Sequence, residues 1–243
     1  MAPNLRYDEH PLDEPRATTE VTMHLSKKKA TIGSAVLASA LLAGGLTSGV
    51  ANASHEDPTG LLATPTETRA TLRPLNNSGV FGASTVSVDH RALDITVDAR
   101  KLAKDLPHAQ HIHFGARARN ECPTVRDDDN GDFRLTTAEG LPAYGPVKVS
   151  LTTRGATGPG SVLAVDRYPT APNRQIHYDR ETTTTKGVAR GIRNGRGVVV
   201  IHGVDYNANG KYDFRSAGKS ELDPSLPAEA TDPAACGVLH VVD

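Results

Sequence analysis

His111-Ile112-His113 and the later run Val198-Val199-Val200-Ile201-His202-Gly203 carry the side chains best suited to chemistry. Alternate side chains of a β-strand share a face, so His111 and His113 project as a pair with Ile112 opposite. In the second run Val198, Val200 and His202 share a face, and the surrounding apolar residues read as a buried strand. Two imidazoles from one strand and one from another can converge on a transition metal, for which neutral imidazole is the commonest ligand. The plain alternative is that these are unrelated members of a set of ten histidines. His90 and His108 fall in apparent turns, and His240 shares a strand face with Cys236 and Val238; all three read as surface or hydrogen-bonded residues. His177, opening a Thr-rich strand pattern, is the candidate for a fourth ligand.

Two acidic connections carry a second signal. The stretch from Asp128 to Glu139 places Asp128, Asn130, Asp132 and Glu139 at positions 1, 3, 5 and 12 of a calcium-type loop, with Phe133 where such loops turn on glycine. From Asp205 onward, Asp205, Asn207, Asn209 and Asp213 occupy positions 1, 3, 5 and 9 with Gly210 at 6, but Ser216 stands where the bidentate glutamate belongs. Solvated Asp/Asn/Gly turns use the same residues for backbone reasons and remain the alternative.

These groups need a scaffold, and the composition favours strands: no Trp, four Phe, and a supply of Val and Thr. Strand patterns occur at Thr85–Val88 and Leu93–Val97, a hairpin around Asp89-His90-Arg91, and then at Gln110–Phe114, Val147–Thr152, Val162–Asp166, Ile176–Thr183, Gly197–His202 and Gly237–Val242. No helical periodicity of useful length is seen, so the expected class is an all-β sandwich or barrel with two long, acid-rich connections. Thr182–Thr185 reads as an exposed edge strand. Asn76-Asn77-Ser78 fits a glycan acceptor where the host glycosylates.

The N-terminal quarter is read as export machinery. Lys27-Lys28-Lys29, an apolar stretch from Ile32 to Leu46 and Ala51-Asn52-Ala53 make the three parts of a signal peptide over 23–53. Met23 just before the lysines marks 1–22 as a mis-assigned start, and 54–68 reads as a flexible leader before a domain over 69–243. A secreted or cell-surface chain is expected, not membrane-spanning once the signal is removed. Cys122 and Cys236, an even pair in an exported chain, imply one disulfide; two free thiols serving as ligands are the alternative. With 27 basic and 28 acidic side chains, the net charge of −1 gives no reason to expect nucleic acid as a partner. Cell-surface or homo-oligomeric contacts are the partner classes left open. No phosphate loop, nucleophile elbow or HExxH motif occurs.

His111-Ile112-His113-Phe114-Gly115, the cysteine that follows, Val199-Val200-Ile201-His202 with an Asp beyond, and Ala235-Cys236-Gly237-Val238-Leu239 together resemble copper/zinc superoxide dismutase over residues 70–243. They equally resemble the chordin-type (CHRD) domain. Tyr144-Gly145-Pro146 and Leu222-Asp223-Pro224 are similar to segments of exported actinobacterial members of this group. The resemblance implies an eight-stranded Greek-key barrel, copper on His111, His113 and His202, and a disulfide from Cys122 to Cys236 tying a long loop to the last strand. It also has departures. No histidine lies between Phe114 and Ile176 to bridge copper and zinc, so no zinc site is expected; Pro233 stands where the dismutases place a guiding arginine; and HIHFG is one residue shorter than their HxHxFG. Two functions follow as expectations: an exported, dismutase-like copper protein with weak redox activity and no catalytic residue assigned, or a non-catalytic, calcium-stabilised binding or structural module.

Overall fold

The computed structural model describes residues 64–242, so the start, signal and most of the leader expected over 1–63 lie outside the described residues. The described chain is one curled antiparallel sheet, a half-barrel, with few helices. Its strands are β1 (Thr66–Pro74), β2 (Phe81–Asp89), β3 (Ala92–Arg100), β4 (Gln110–His113), β5 (Val147–Ser150), β6 (Gln175–Thr183), β7 (Val198–His202), β8 (Pro233–Val238) and β9 (His240–Val241). They follow the order β5-β4-β7-β8-β1-β2-β3-β6, with β9 paired to β1. Three short helices interrupt them: α1 (Thr137–Tyr144), α2 (Lys186–Arg193) and α3 (Ala228–Thr231). The all-β class is as expected; the helices are additions to it.

The alternation of the sequence explains which face is buried. In β3, Leu93, Ile95, Val97 and Ala99 point inward; in β2, Ser84, Val86 and Val88 do so. They pair in register through a tight turn where His90 takes a left-handed backbone with φ 48°. From the far half of the sheet Ile112 of β4 and Val199 and Ile201 of β7 join the same core. The opposite face of β7 contributes Val198 and Val200 to a second cluster with Tyr144 and Cys236, so both faces of the central strands are covered.

Four local expectations are corrected. β1 begins at Thr66, inside the expected leader; its inward residues are Thr68, Ala70 and Leu72, too weakly apolar to announce a strand between exposed arginines. Val162–Asp166 is no strand: a turn follows the short 3-10 segment Pro159–Ser161 and runs into a second one, Val165–Arg167. The last strand pattern starts earlier, at Pro233, and breaks at Leu239, which leaves His240 exposed on β9. Asn76, the expected glycan acceptor, is a strut: its amide donates to the Leu135 and Pro233 carbonyls and accepts from the Leu135 N–H, at 2.8, 3.0 and 2.7 Å.

Cys122 and Cys236 form a disulfide across a separation of 114 residues, and no described cysteine is free. It anchors the long segment after β4 to β8. In the chain-entropy picture a loop of this length contributes about 4–5 kcal/mol. The double variant Cys122→Ser/Cys236→Ser should lose about 2–5 kcal/mol of unfolding free energy in urea titration while keeping its β-sheet circular dichroism.

Candidate metal centre

β4 and β7 are neighbours in the sheet, with His111 opposite Val200 and His113 opposite Val198. His202 lies one step past that register, its N–H bonded to the Ala109 carbonyl at 2.8 Å, and β7 shifts register against β8 at this point. The three imidazoles therefore emerge on one face. Ring centroids are separated by 5.4 Å (His111–His113), 5.1 Å (His111–His202) and 6.1 Å (His113–His202). One nitrogen from each lies within 4.8 Å of the others, the only such group of three His, Cys, Asp or Glu side chains among the described residues. All three rings are buried.

Each ring is held by its other nitrogen. His113 Nδ1–H donates to the Gly145 carbonyl at 2.8 Å, and His202 Nδ1–H to the Thr231 carbonyl at 2.6 Å. His111 Nε2–H faces the Tyr168 hydroxyl at 2.8 Å and the Val162 carbonyl at 3.3 Å; that hydroxyl in turn donates to the Ser161 carbonyl at 2.8 Å. Because carbonyls only accept, these contacts fix the tautomers and leave His111 Nδ1, His113 Nε2 and His202 Nε2 as bare lone pairs. Those three atoms are buried with no hydrogen-bond partner. A cation satisfies such a set and no neighbouring protein group does, so the residues fit a metal ion.

The electrostatics agree. Burial, followed by repulsion from His202 and His113, holds His111 well below the usual imidazole range. Burial and then His202 depress His113 to about 3, and burial depresses His202 to about 4. The rings are neutral at ordinary pH, the form in which imidazole can bind a metal.

Gly145 shows why the supporting loop has its sequence. Its φ is +83°, and a Cβ there would meet the Gly115 nitrogen and the Phe114 carbonyl carbon at 2.9 Å, so only glycine brings this carbonyl to His113. Tyr144, just before it, lies against the His113 ring with centroids 4.6 Å apart. Tyr168, Thr231 and Gly145 were not legible as site residues, since two act through backbone carbonyls and Tyr168 lies in a loop without periodicity.

The other sequence candidates lie elsewhere. His177 is exposed on β6 and pairs with Asp98 at 2.7 Å, so it is no fourth ligand. His108 is a buried core histidine, its Nδ1 2.8 Å from the His202 carbonyl. The two acidic loops share one backbone pattern. The position 1 carboxylate accepts from the position 6 N–H at 2.8 Å in both, Asp128 from Phe133 and Asp205 from Gly210. Asn130 and Asn207 accept from the N–H two residues on, and so do Asp132 and Asn209. Position 6 is left-handed in each, φ 64° at Phe133 and 78° at Gly210. Glu139 departs from the loop pattern: its carboxylate accepts from the Thr136 N–H at 2.8 Å as half of the α1 capping box. Asp213 accepts from the Arg215 N–H and from the Asn209 amide, both at 2.8 Å.

No known family model matches this chain, and no curated protein matches it. Among the described residues no helix is long and apolar enough to cross a membrane.

The buried imidazoles predict an acid-labile metal-free protein. Unfolded histidines take up protons below a pH near 6.5, whereas His113 and His202 resist down to about 3 and 4. Stability is thus complete above that unfolded value and falls as pH drops from about 6.5 toward 4, by up to about 1.4 kcal/mol per pH unit for each histidine. Denaturation titrations of metal-free protein should show this slope, and His113→Gln should reduce it.

Proposed function

We propose that this is an exported copper-binding protein of superoxide dismutase-like character, built on a three-histidine centre at His111, His113 and His202. The observation that carries the reading is the set of three buried imidazole nitrogens without any hydrogen-bond partner. Imidazole suits copper, zinc, iron and nickel alike, and the choice of copper comes from the resemblance to copper/zinc dismutases and CHRD domains. Copper held there would supply a one-electron couple. The chain's own contribution is to fix the three tautomers through the Gly145 and Thr231 carbonyls and the Tyr168 hydroxyl, and to keep the rings buried and neutral.

Fast dismutation is not part of the proposal. No histidine between Phe114 and Ile176 is available to bridge a second metal and deliver a proton, and Pro233 occupies the place of the guiding arginine. Protein secreted into medium without added metal should carry about one copper per chain by elemental analysis, with His111→Ala, His113→Ala and His202→Ala each losing it. Zinc or no metal in the wild type would remove the copper reading. On copper-loaded protein, stopped-flow superoxide decay should stay far below the ~10⁸–10⁹ M⁻¹s⁻¹ diffusional ceiling.

A second reading, a calcium-stabilised module without catalysis, is favoured by the shared hydrogen-bond pattern of the Asp128 and Asp205 loops. In each loop the position 1, 3 and 5 oxygens accept backbone N–H groups of that same loop, the residue types at those positions being the ones calcium loops use. Extracellular loops of this kind bind at about 10⁻⁴–10⁻³ M. At tenfold excess over that dissociation constant, calcium should add about 1.4 kcal/mol of stability, seen as a rise in melting temperature. Asp205→Ala should abolish the rise contributed by its loop. A melt unchanged between chelator and 10 mM calcium (roughly tenfold above the weaker limit) would leave both loops as plain turns.

A further inference from the structure

The imidazoles face a small recess whose wall has a marked chemical bias. Val147, Val162, Leu163, Val165, Leu222 and Leu226 line it, and no charged side chain does. Leu163, Val165 and Leu222 are 36, 45 and 46 % exposed, so the apolar rim meets solvent directly. The free space is about 40 Å³. Since one water needs at least ~10–15 Å³ on this measure, that is room for a molecule of no more than about three or four heavy atoms.

The polar groups at the wall are as informative as the apolar ones. The ring N–H groups of His113 and His202 are bound to the Gly145 and Thr231 carbonyls, and that of His111 to Tyr168. The Thr137 hydroxyl donates to the Thr231 carbonyl at 2.6 Å, and the Thr231 hydroxyl lies 2.8 Å from Ser220 Oγ. No side-chain donor is left to greet an anion, and the nitrogens that face inward are bare lone pairs. Stripping water from an anion without such donors costs several kcal/mol, whereas an apolar diatomic loses almost nothing. We infer that this recess admits a small, uncharged, apolar molecule, of the dioxygen class, to a metal on the three histidines and disfavours small anions. The metal part rests on the function proposed above; the character of the recess does not.

Three measurements test it. Crystals of metal-free protein under xenon pressure should seat a xenon atom among Val162, Leu163, Leu222 and Leu226; a recess without xenon overturns the inference whatever the metal. Copper(I)-loaded protein should bind carbon monoxide, read as a new C–O stretch in the infrared, and copper retained without that band also overturns it. Copper(II)-loaded protein should require at least about tenfold more azide to change its electron paramagnetic resonance spectrum than Leu222→Lys, which places a cation on the rim. Leu163→Lys is the second variant if the first does not fold. Equal azide affinity in wild type and variants would mean the apolar rim selects nothing. If xenon is seated and no copper is retained, the copper reading fails while the recess keeps its assigned character.

Discussion

Three neutral imidazoles pressed together in a buried site are an unfavourable arrangement, and much of the surrounding structure holds it in place. Each ring has one nitrogen satisfied and one without any protein partner. Their positions are imposed by the β4–β7 pairing, which spends the opposite face of the same strands on the main core through Ile112, Val199 and Ile201. A slip of one residue in β4 would exchange the histidines with Gln110 and Ile112, so core packing and ligand geometry select the same register. The fold and the site are two faces of one strand pair.

The part of this design written locally was legible in sequence. The i, i+2 spacing of His111 and His113, and the common face of Val200 and His202, follow from strand alternation alone. Their convergence depends on β4 lying beside β7, a non-local pairing that no local pattern encodes. Chemically ambiguous signals went astray. Val162-Leu163-Ala164-Val165 has the apolar content of a strand, yet three of these residues line the recess over the histidines. Thr136 and Glu139 form a capping box, and the same glutamate falls at position 12 of a calcium-type loop; the helix claims it. β1 escaped notice because Thr68 and Ala70 are weak markers, although the strand joins the β2–β3 half of the sheet to the half that carries the site.

The long loops reach the centre through one short strut, α3 and the residue after it. Glu229, fully buried, accepts from the Tyr206 and Asp213 N–H groups at 3.1 and 2.7 Å and from the Ser216 hydroxyl, so it fastens the Asp205 loop from beneath. Asp232 takes Arg134 at 2.8 Å, gathering the end of the Asp128 loop, and accepts the Tyr206 hydroxyl at 2.9 Å. Burial nevertheless keeps that carboxyl at about 6, above its ordinary value, because Arg134 offsets the desolvation only in part. Between them the Thr231 carbonyl receives both the Thr137 hydroxyl and His202 Nδ1–H. Orientation of His202 is therefore mechanically tied to the order of both acidic loops, while His113 depends on Gly145 and His111 on Tyr168. Each ligand is referred to a different stretch of chain. A centre supported in this way keeps its geometry only while all three loops are packed, which accounts for the presence of a disulfide and a buried glutamate so close to a site they do not touch.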